Sequence, residues 1–303
     1  MDRDNNSSLM LPASIAIIIA VIFALFNYAP VKKAPIVNTA GSTNNTNQRL
    51  IIGRANDSVT LDPASTTEMN SFKVTVNIFE TLVKYEKNEG RIIPCLAESW
   101  NSSEDGLTWV FKLREGIRFH DGTDFNASAV CFNFHRWMDK DNPYHNGKFS
   151  YWNTVFGGFP GFVDSVKALS NHSLEIKLNK PYAPFLNALA MPAFGIASPE
   201  AIKEHNEDLF KHPVGTGPFL LKSWEHNKSI ILERNDKYWN GRAKVKEIEF
   251  RVIPGNKDRL EELKQGSIHI ADYLSPVDIA EVKYDPNLHL YLRPSFNVGY
   301  IAM

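Results

Sequence analysis

The chain is poor in cysteine, nearly neutral and without a concentrated basic surface, and each shortage removes a class of function. Cysteine occurs twice in 303 residues, at Cys95 and Cys131. Neither stands in a C-x-x-C pair, so zinc-ribbon and thioredoxin-type chemistry fits poorly. Both read as buried free thiols, Cys95 behind Pro94 and Cys131 inside an amphipathic helix, and their spacing leaves a disulfide open. Lys and Arg number 33 against 34 Asp and Glu, a net charge of −1. The basic residues are scattered rather than striped, which argues against a nucleic-acid partner.

A catalytic constellation is also missing. His120-Asp121 lacks a second histidine at helical spacing and a third ligand, so Asp121 reads as a turn carboxylate capping backbone amides. Gly215-Thr216-Gly217 is followed by Pro218 and lacks the Lys-Ser/Thr of a phosphate loop, so it reads as a tight structural turn. Ser99, Ser165 and Ser198 lack a G-x-S-x-G context. Trp152, Trp224 and Trp239 read first as core packing, with a cleft wall as the alternative. No enzyme activity, cofactor or metal is expected.

What is present begins with an apolar run, Leu9 to Phe26. It is long for a signal-peptide core and just long enough to span a bilayer. No small-x-small cleavage site and no lipid-attachment cysteine follows, so residues 1–28 read as an uncleaved membrane anchor in preference to a cleaved signal segment. Its flanking charges give no clean orientation. Residues 29–48 are polar and rich in Asn and Thr, a flexible linker with a reach of about 25 Å.

From Arg49 the chain reads as a mixed α/β fold. Leu50 to Gly53 is a short strand. Phe72 to Tyr85 carries Val76, Phe79, Leu82 and Val83 on a helical face. Leu107 to Leu113 alternates with period two, and a further extended piece covers Ile117 to His120. Asn126 caps a helix bearing Val130, Phe134 and Trp137. Asn142 to Gly161 has no period and reads as an irregular loop. Ser165–Leu169 and Ser173–Leu178 form a hairpin, and helices start at Pro184 and Pro199. Strands then dominate: Phe219–Trp224, Ser229–Arg234, Lys246–Ile253, Ile268–Ala271 and Leu288–Arg293, with short helices at Arg259–Lys264 and Asp278–Val282.

The wording of several stretches is more specific than their pattern. Ala97-Glu98-Ser99-Trp100, the run DGLTWVFKLREGIRFHDG from Asp105 to Gly122, and the A-x-x-V-x-F-N-F-x-R-W helix resemble the family 5 extracellular solute-binding proteins. These are the dipeptide- and oligopeptide-binding proteins of ABC importers. Leu61-Asp62-Pro63, the helix-like Asn77 to Leu82, Val214 to Phe219, Glu233 to Trp239, Leu263 to Ile270 and Asn297 to Ala302 agree in the same order.

The resemblance implies a periplasmic-binding-protein-like class II fold with lobe one only and the second lobe missing. Residues 49–63 and 180–296 would form the core subdomain and 64–179 an inserted second subdomain. Residues 297–303 would begin the crossing to the absent lobe. It implies capture of short peptides, with backbone groups of Thr67, Glu68 and Met69 as ligand contacts by strand addition. The implied partners are a peptide and ABC permease subunits, and the implied setting is a monomer at the extracytoplasmic face of a bacterial membrane, held there by the N-terminal segment, or in the periplasm. Another solute (a nickel chelate, haem or an oligosaccharide) and a tethered sensor module without transport remain alternatives.

Overall fold

The computed structural model describes residues 49–86 and 90–292. The expected anchor, linker and closing stretch 297–303 lie outside them. Among the described residues no helix is long and apolar enough to cross a membrane.

The strands are β1 (Arg49–Arg54), β2 (Val83–Tyr85), β3 (Ile92–Pro94), β4 (Ala97–Ser102), β5 (Thr108–Leu113), β6 (Val163–Ser170), β7 (Ser173–Leu178), β8 (Phe219–Glu225), β9 (Ser229–Arg234), β10 (Glu247–Val252) and β11 (Ile270–Ala271). The α-helices are α1 (Met69–Thr75), α2 (Ala127–Met138), α3 (Ser150–Phe156), α4 (Phe185–Leu189), α5 (Pro199–His205), α6 (Asn256–Lys264) and α7 (Ile279–Tyr284). One sheet has the order β11-β1-β10-β9-β8 and another β4-β5-β7-β6, and β2 and β3 form a small ribbon. In the first sheet β1 runs parallel to both β10 and β11, while β10, β9 and β8 are antiparallel. The second is antiparallel throughout.

The period-two reading explains the second sheet. Phe111 and Leu113 are fully buried while Lys112 between them is exposed, and Leu174, Ile176 and Leu178 line the same core. Asn126 accepts from the Ala129 N–H at 3.0 Å and so starts α2, whose Val130, Phe134 and Trp137 are buried against this sheet. A second buried cluster, with Ile78, Phe79, Ile202, Phe219, Ile230 and Phe250, belongs to the five-stranded sheet. Side chains of α4 and of the turn Pro192–Phe194 join the core of the four-stranded sheet. The cysteines are both free thiols, Cys95 buried and Cys131 partly buried.

Four local expectations need correction. The helix expected over Phe72–Tyr85 starts earlier, at Met69, and ends at Thr75, and Val83–Tyr85 is a strand. The reason is long-range main-chain bonding. The carbonyls of Asn77, Ile78, Glu80, Thr81 and Leu82 accept from the N–H groups of Phe219, Gly217, Ile196, Leu96 and Ala97 at 2.8–3.2 Å. Those acceptors are therefore engaged away from any i→i+4 ladder. The irregular loop expected over Asn142–Gly161 contains α3, whose Trp152, Val155 and Phe156 fill one buried face. That helix is too short for a period to announce it. Ile117–His120 is not a strand, since only Arg118 bridges Asp124. Residues 288–292 carry no strand either, and Arg293 lies outside the described residues.

Candidate functional site

Three parallel strands end together. The carboxyl ends of β1, β10 and β11 lie at Arg54, Val252 and Ala271, and in open α/β sheets that edge is where ligands sit. The loops leaving them are bonded to one another and to α1. Ile253 N–H donates to the Arg54 carbonyl and Asp272 N–H to the Gly53 carbonyl, both at 2.8 Å. The Arg54 guanidinium, almost wholly buried, donates to the Asn70 carbonyl at 3.1 Å, Ser58 Oγ at 3.1 Å and Asp57 at 2.8 Å. Burial pushes its pKa down, with Asp57, Glu68 and Asp272 acting against that shift. Asp57 is held in turn by Trp224 Nε1 and the Asn227 N–H, each at 2.9 Å.

Thr67, Glu68 and Met69 stand at the start of α1 beside this edge. The Glu68 carboxylate caps the helix, accepting from the N–H groups of Asn70 at 2.6 Å and Ser71 at 2.7 Å. Thr67 is exposed, while Glu68 and Met69 are partly buried. Among the described residues neither the N–H nor the C=O of Thr67 has a protein partner. Met69 opens the helix, where first-turn amides lack intrahelical acceptors. Backbone groups are thus presented outward where an extended ligand could pair with them, while the Glu68 side chain is occupied by capping. One turn along, Lys73 pairs with Asp272 and its ammonium lies 4.0 Å from the Tyr273 ring centroid.

Two further polar clusters were invisible to periodicity. In one, Asp62 of the L-D-P motif meets Arg136 of α2 at 2.6 Å, both nearly fully buried. Asp62 also caps the short Pro63–Ser65 helix through the Ala64 N–H at 3.1 Å. Arg136 donates further to the Tyr144 carbonyl at 3.1 Å and lies over the Phe149 ring. In the other, the buried Glu80 carboxylate accepts from Tyr238 Oη at 2.7 Å, Trp239 Nε1 at 2.8 Å and Thr216 Oγ1 at 2.9 Å. Two separate stretches of the sequence thus converge on a side chain of a third. Burial, then the Glu80 charge, pushes the Cys95 thiol up to about 12, which leaves it unreactive. Burial and Glu80 likewise raise the Tyr238 phenol.

The Gly215-Thr216-Gly217 turn is explained by close approach rather than by left-handed backbone. A Cβ on Gly215 would stand 2.1 Å from the Ile78 carbonyl oxygen, and one on Gly217 2.6 Å from that of Asn77. His120 clamps the same turn. Its Nδ1 accepts from the Gly215 N–H at 3.3 Å and its Nε2–H donates to the Gly217 carbonyl at 2.9 Å. Asp121 caps the Thr123 N–H at 2.9 Å and bonds Ser198 Oγ, the turn role read from the sequence. Among the described residues no group of three metal-binding side chains occurs.

The clamp demands a neutral imidazole, because protonated Nδ1 would oppose the Gly215 N–H. Burial pushes the His120 pKa below the usual histidine range, against the Gly217 hydrogen bond and Asp121, which raise it. The unfolded chain therefore binds this proton first. Stability falls as pH drops below about 6.5 and through the lowered folded value, with a slope of up to about 1.4 kcal/mol per pH unit. Urea midpoints at pH 7 and near pH 5.5 should separate more for the natural chain than for His120→Gln. Equal separations would remove His120 as the source.

This architecture and these motifs define a class. The chain belongs to the bacterial extracellular solute-binding proteins, family 5, whose model matches residues 91–303. It is 33% identical over 246 residues to a dipeptide-binding protein of Escherichia coli K12, covering 75% of this chain and 45% of that protein. It is 33% identical to heme-binding protein A of Haemophilus influenzae, covering 79% and 46%. Among solved structures, an ABC-transporter-associated periplasmic binding protein of Helicobacter pylori in complex with the peptide STSA superposes with a TM-score of 0.74 at 34% identity, covering 79% of this chain and 49% of that one. The chain spans about half the length of the relatives it matches, as one lobe of a two-lobed class II binding protein does.

Proposed function

We propose that this chain is the first lobe of a peptide-capturing component of an ABC importer, working at the extracytoplasmic face of a bacterial membrane. The observation that carries the reading is the likeness to the Helicobacter pylori protein solved with a peptide. The outward backbone of Thr67 at the carboxyl edge of β1, β10 and β11 supports it, because strand addition reads a peptide's main chain and tolerates varied side chains. In this reading Thr67, Glu68 and Met69 contribute backbone contacts, Glu68 keeps its side chain on the helix, and a permease receives the ligand. No cofactor or metal takes part. The apolar stretch Leu9–Phe26 tethers the chain and residues 29–48 give it reach. In this reading residues 49–63 and 180–296 belong to the core subdomain of the lobe and 64–179 to the inserted one.

Ligand affinity in such a trap depends on closure of two lobes over the ligand. Removing one partner of a buried charge pair alone costs about 2–5 kcal/mol, a factor of roughly 30 to several thousand. The chain by itself is therefore expected to bind short peptides no tighter than millimolar by calorimetry. Micromolar binding would show that one lobe suffices. Haem bound more tightly than any peptide tried would replace the peptide reading with that of the Haemophilus relative.

A further inference from the structure

Tyr273 occupies left-handed backbone, with φ of 52°. Four described residues other than glycine have positive φ: Phe149, Asn206, Asn227 and Tyr273. Asparagine tolerates that region well, and Phe149 is buried. Tyr273 is neither an asparagine nor part of the core, since it is 66% exposed. A bulky residue persists in such a conformation only where its surroundings over-determine it.

They do so through the main chain. The buried Arg259 donates from Nη2 to the Tyr273 carbonyl at 3.2 Å and from Nη1 to the carbonyls of Ile253 and Pro254 at 2.7 and 2.9 Å. The Asp272 N–H is bonded to the Gly53 carbonyl, and the Ser275 N–H to Asn256 Oδ1 at 2.6 Å. One buried guanidinium therefore ties the loops after β10 and β11 together and sets the ring outward. Lys73 stands over that ring and pairs with Asp272. Met69 and Lys73 are i and i+4 on α1, neighbours on one helix face. The ring thus adjoins the helix that Thr67 and Glu68 lead into at Met69, at the carboxyl edge of the parallel strands.

We propose that Tyr273 is the side-chain-selecting residue of this ligand site, favouring peptides whose side chain over the ring is aromatic. The inference rests on the peptide-binding reading. Offset or edge-to-face stacking on an exposed ring corresponds to a preference of about threefold to tenfold over alanine at that position.

The test is an amide chemical-shift titration of the labelled whole chain with Ala-Ala-Ala, and with the same tripeptide carrying Phe or Trp at each position, at millimolar concentration. The expected result is movement of the Thr67 to Met69 amides with every peptide, and a threefold to tenfold preference for one aromatic position. Tyr273→Phe keeps that preference and Tyr273→Ala loses it. Tyr273→Gly loses it too, yet unfolds at equal or higher urea, because glycine accepts the left-handed backbone without strain. A purely structural tyrosine would not separate stability from preference in this way. An aromatic preference retained in Tyr273→Gly overturns the inference. So does shifting of the 67–69 amides without any aromatic preference in the natural chain, which leaves the peptide reading standing. Peptides that shift no amide overturn the inference and the placing of a ligand site at Thr67 to Met69.

Discussion

Arg136→Met is expected to cost about 3–5 kcal/mol of folding free energy, because it strands the buried Asp62 carboxylate without its partner. The change also removes the donor to the Tyr144 carbonyl and the cation over Phe149. For a folded region of this size the loss lowers the melting temperature by on the order of 10 °C. The cost comes from the charge left behind rather than from a large net gain in the pair, since desolvation offsets much of the Coulomb attraction. A second replacement discriminates the two. Asp62→Asn added to Arg136→Met leaves no buried charge and keeps a capping oxygen for the Ala64 N–H, so it should restore part of the stability. Equilibrium urea unfolding of the single and double variants measures both. A single variant within 1 kcal/mol of the natural chain, on the scale of a surface pair, would show that Asp62 finds water or another partner.

Glu80→Leu is expected to be of similar size, again about 3–5 kcal/mol, because it leaves the hydroxyls of Tyr238 and Thr216 and the indole N–H of Trp239 without their shared acceptor. Hydrogen bonds to a charged group are worth about 1.5–3 kcal/mol each, and unmade buried ones cost the desolvation of each group. Glu80→Gln should be much milder, at about 1–2 kcal/mol. Its oxygen can still accept from Trp239 and Thr216 while the Tyr238 hydroxyl turns to accept from the amide. Denaturant midpoints, with near-ultraviolet circular dichroism to report Tyr238 and Trp239, test the ordering. Equal losses for Leu and Gln would mean that charge, not hydrogen-bond geometry, holds the three segments together.

Both clusters show what was legible in the residues and what was not. Asp62, Glu80, Thr216, Tyr238, Trp239 and Arg136 all fall inside the phrases that carry the family resemblance, so their importance was readable. Their partnership was not, since Glu80 and Trp239 are 159 positions apart and periodicity reports only neighbours on one element. The same limit produced the mistaken helix over Phe72–Tyr85. Its apolar spacing is helical, yet five of its carbonyls accept from distant strands and turns. Helix α3 failed in the opposite direction, because seven residues carry too little local preference to be read and only burial of Trp152 and Phe156 makes them fold. Tyr273 had no signal at all, because left-handed backbone at an ordinary residue is imposed by contacts such as that with Arg259.

Residue order alone carries the mixed α/β class, strands β5, β7, β9 and β10, the capped helix α2 and membership of a solute-binding family. These follow from local rules: period two, a capping asparagine, turn glycines and motif wording. Only long-range contacts settle which strand ends meet, and that Thr67, whose main chain has no protein partner among the described residues, lies beside them. The same contacts make Glu80 and Arg136 points at which distant stretches of the chain meet. Those outcomes depend on bonds between residues far apart in the chain, whose energy appears only once burial has removed the water that would otherwise satisfy each group.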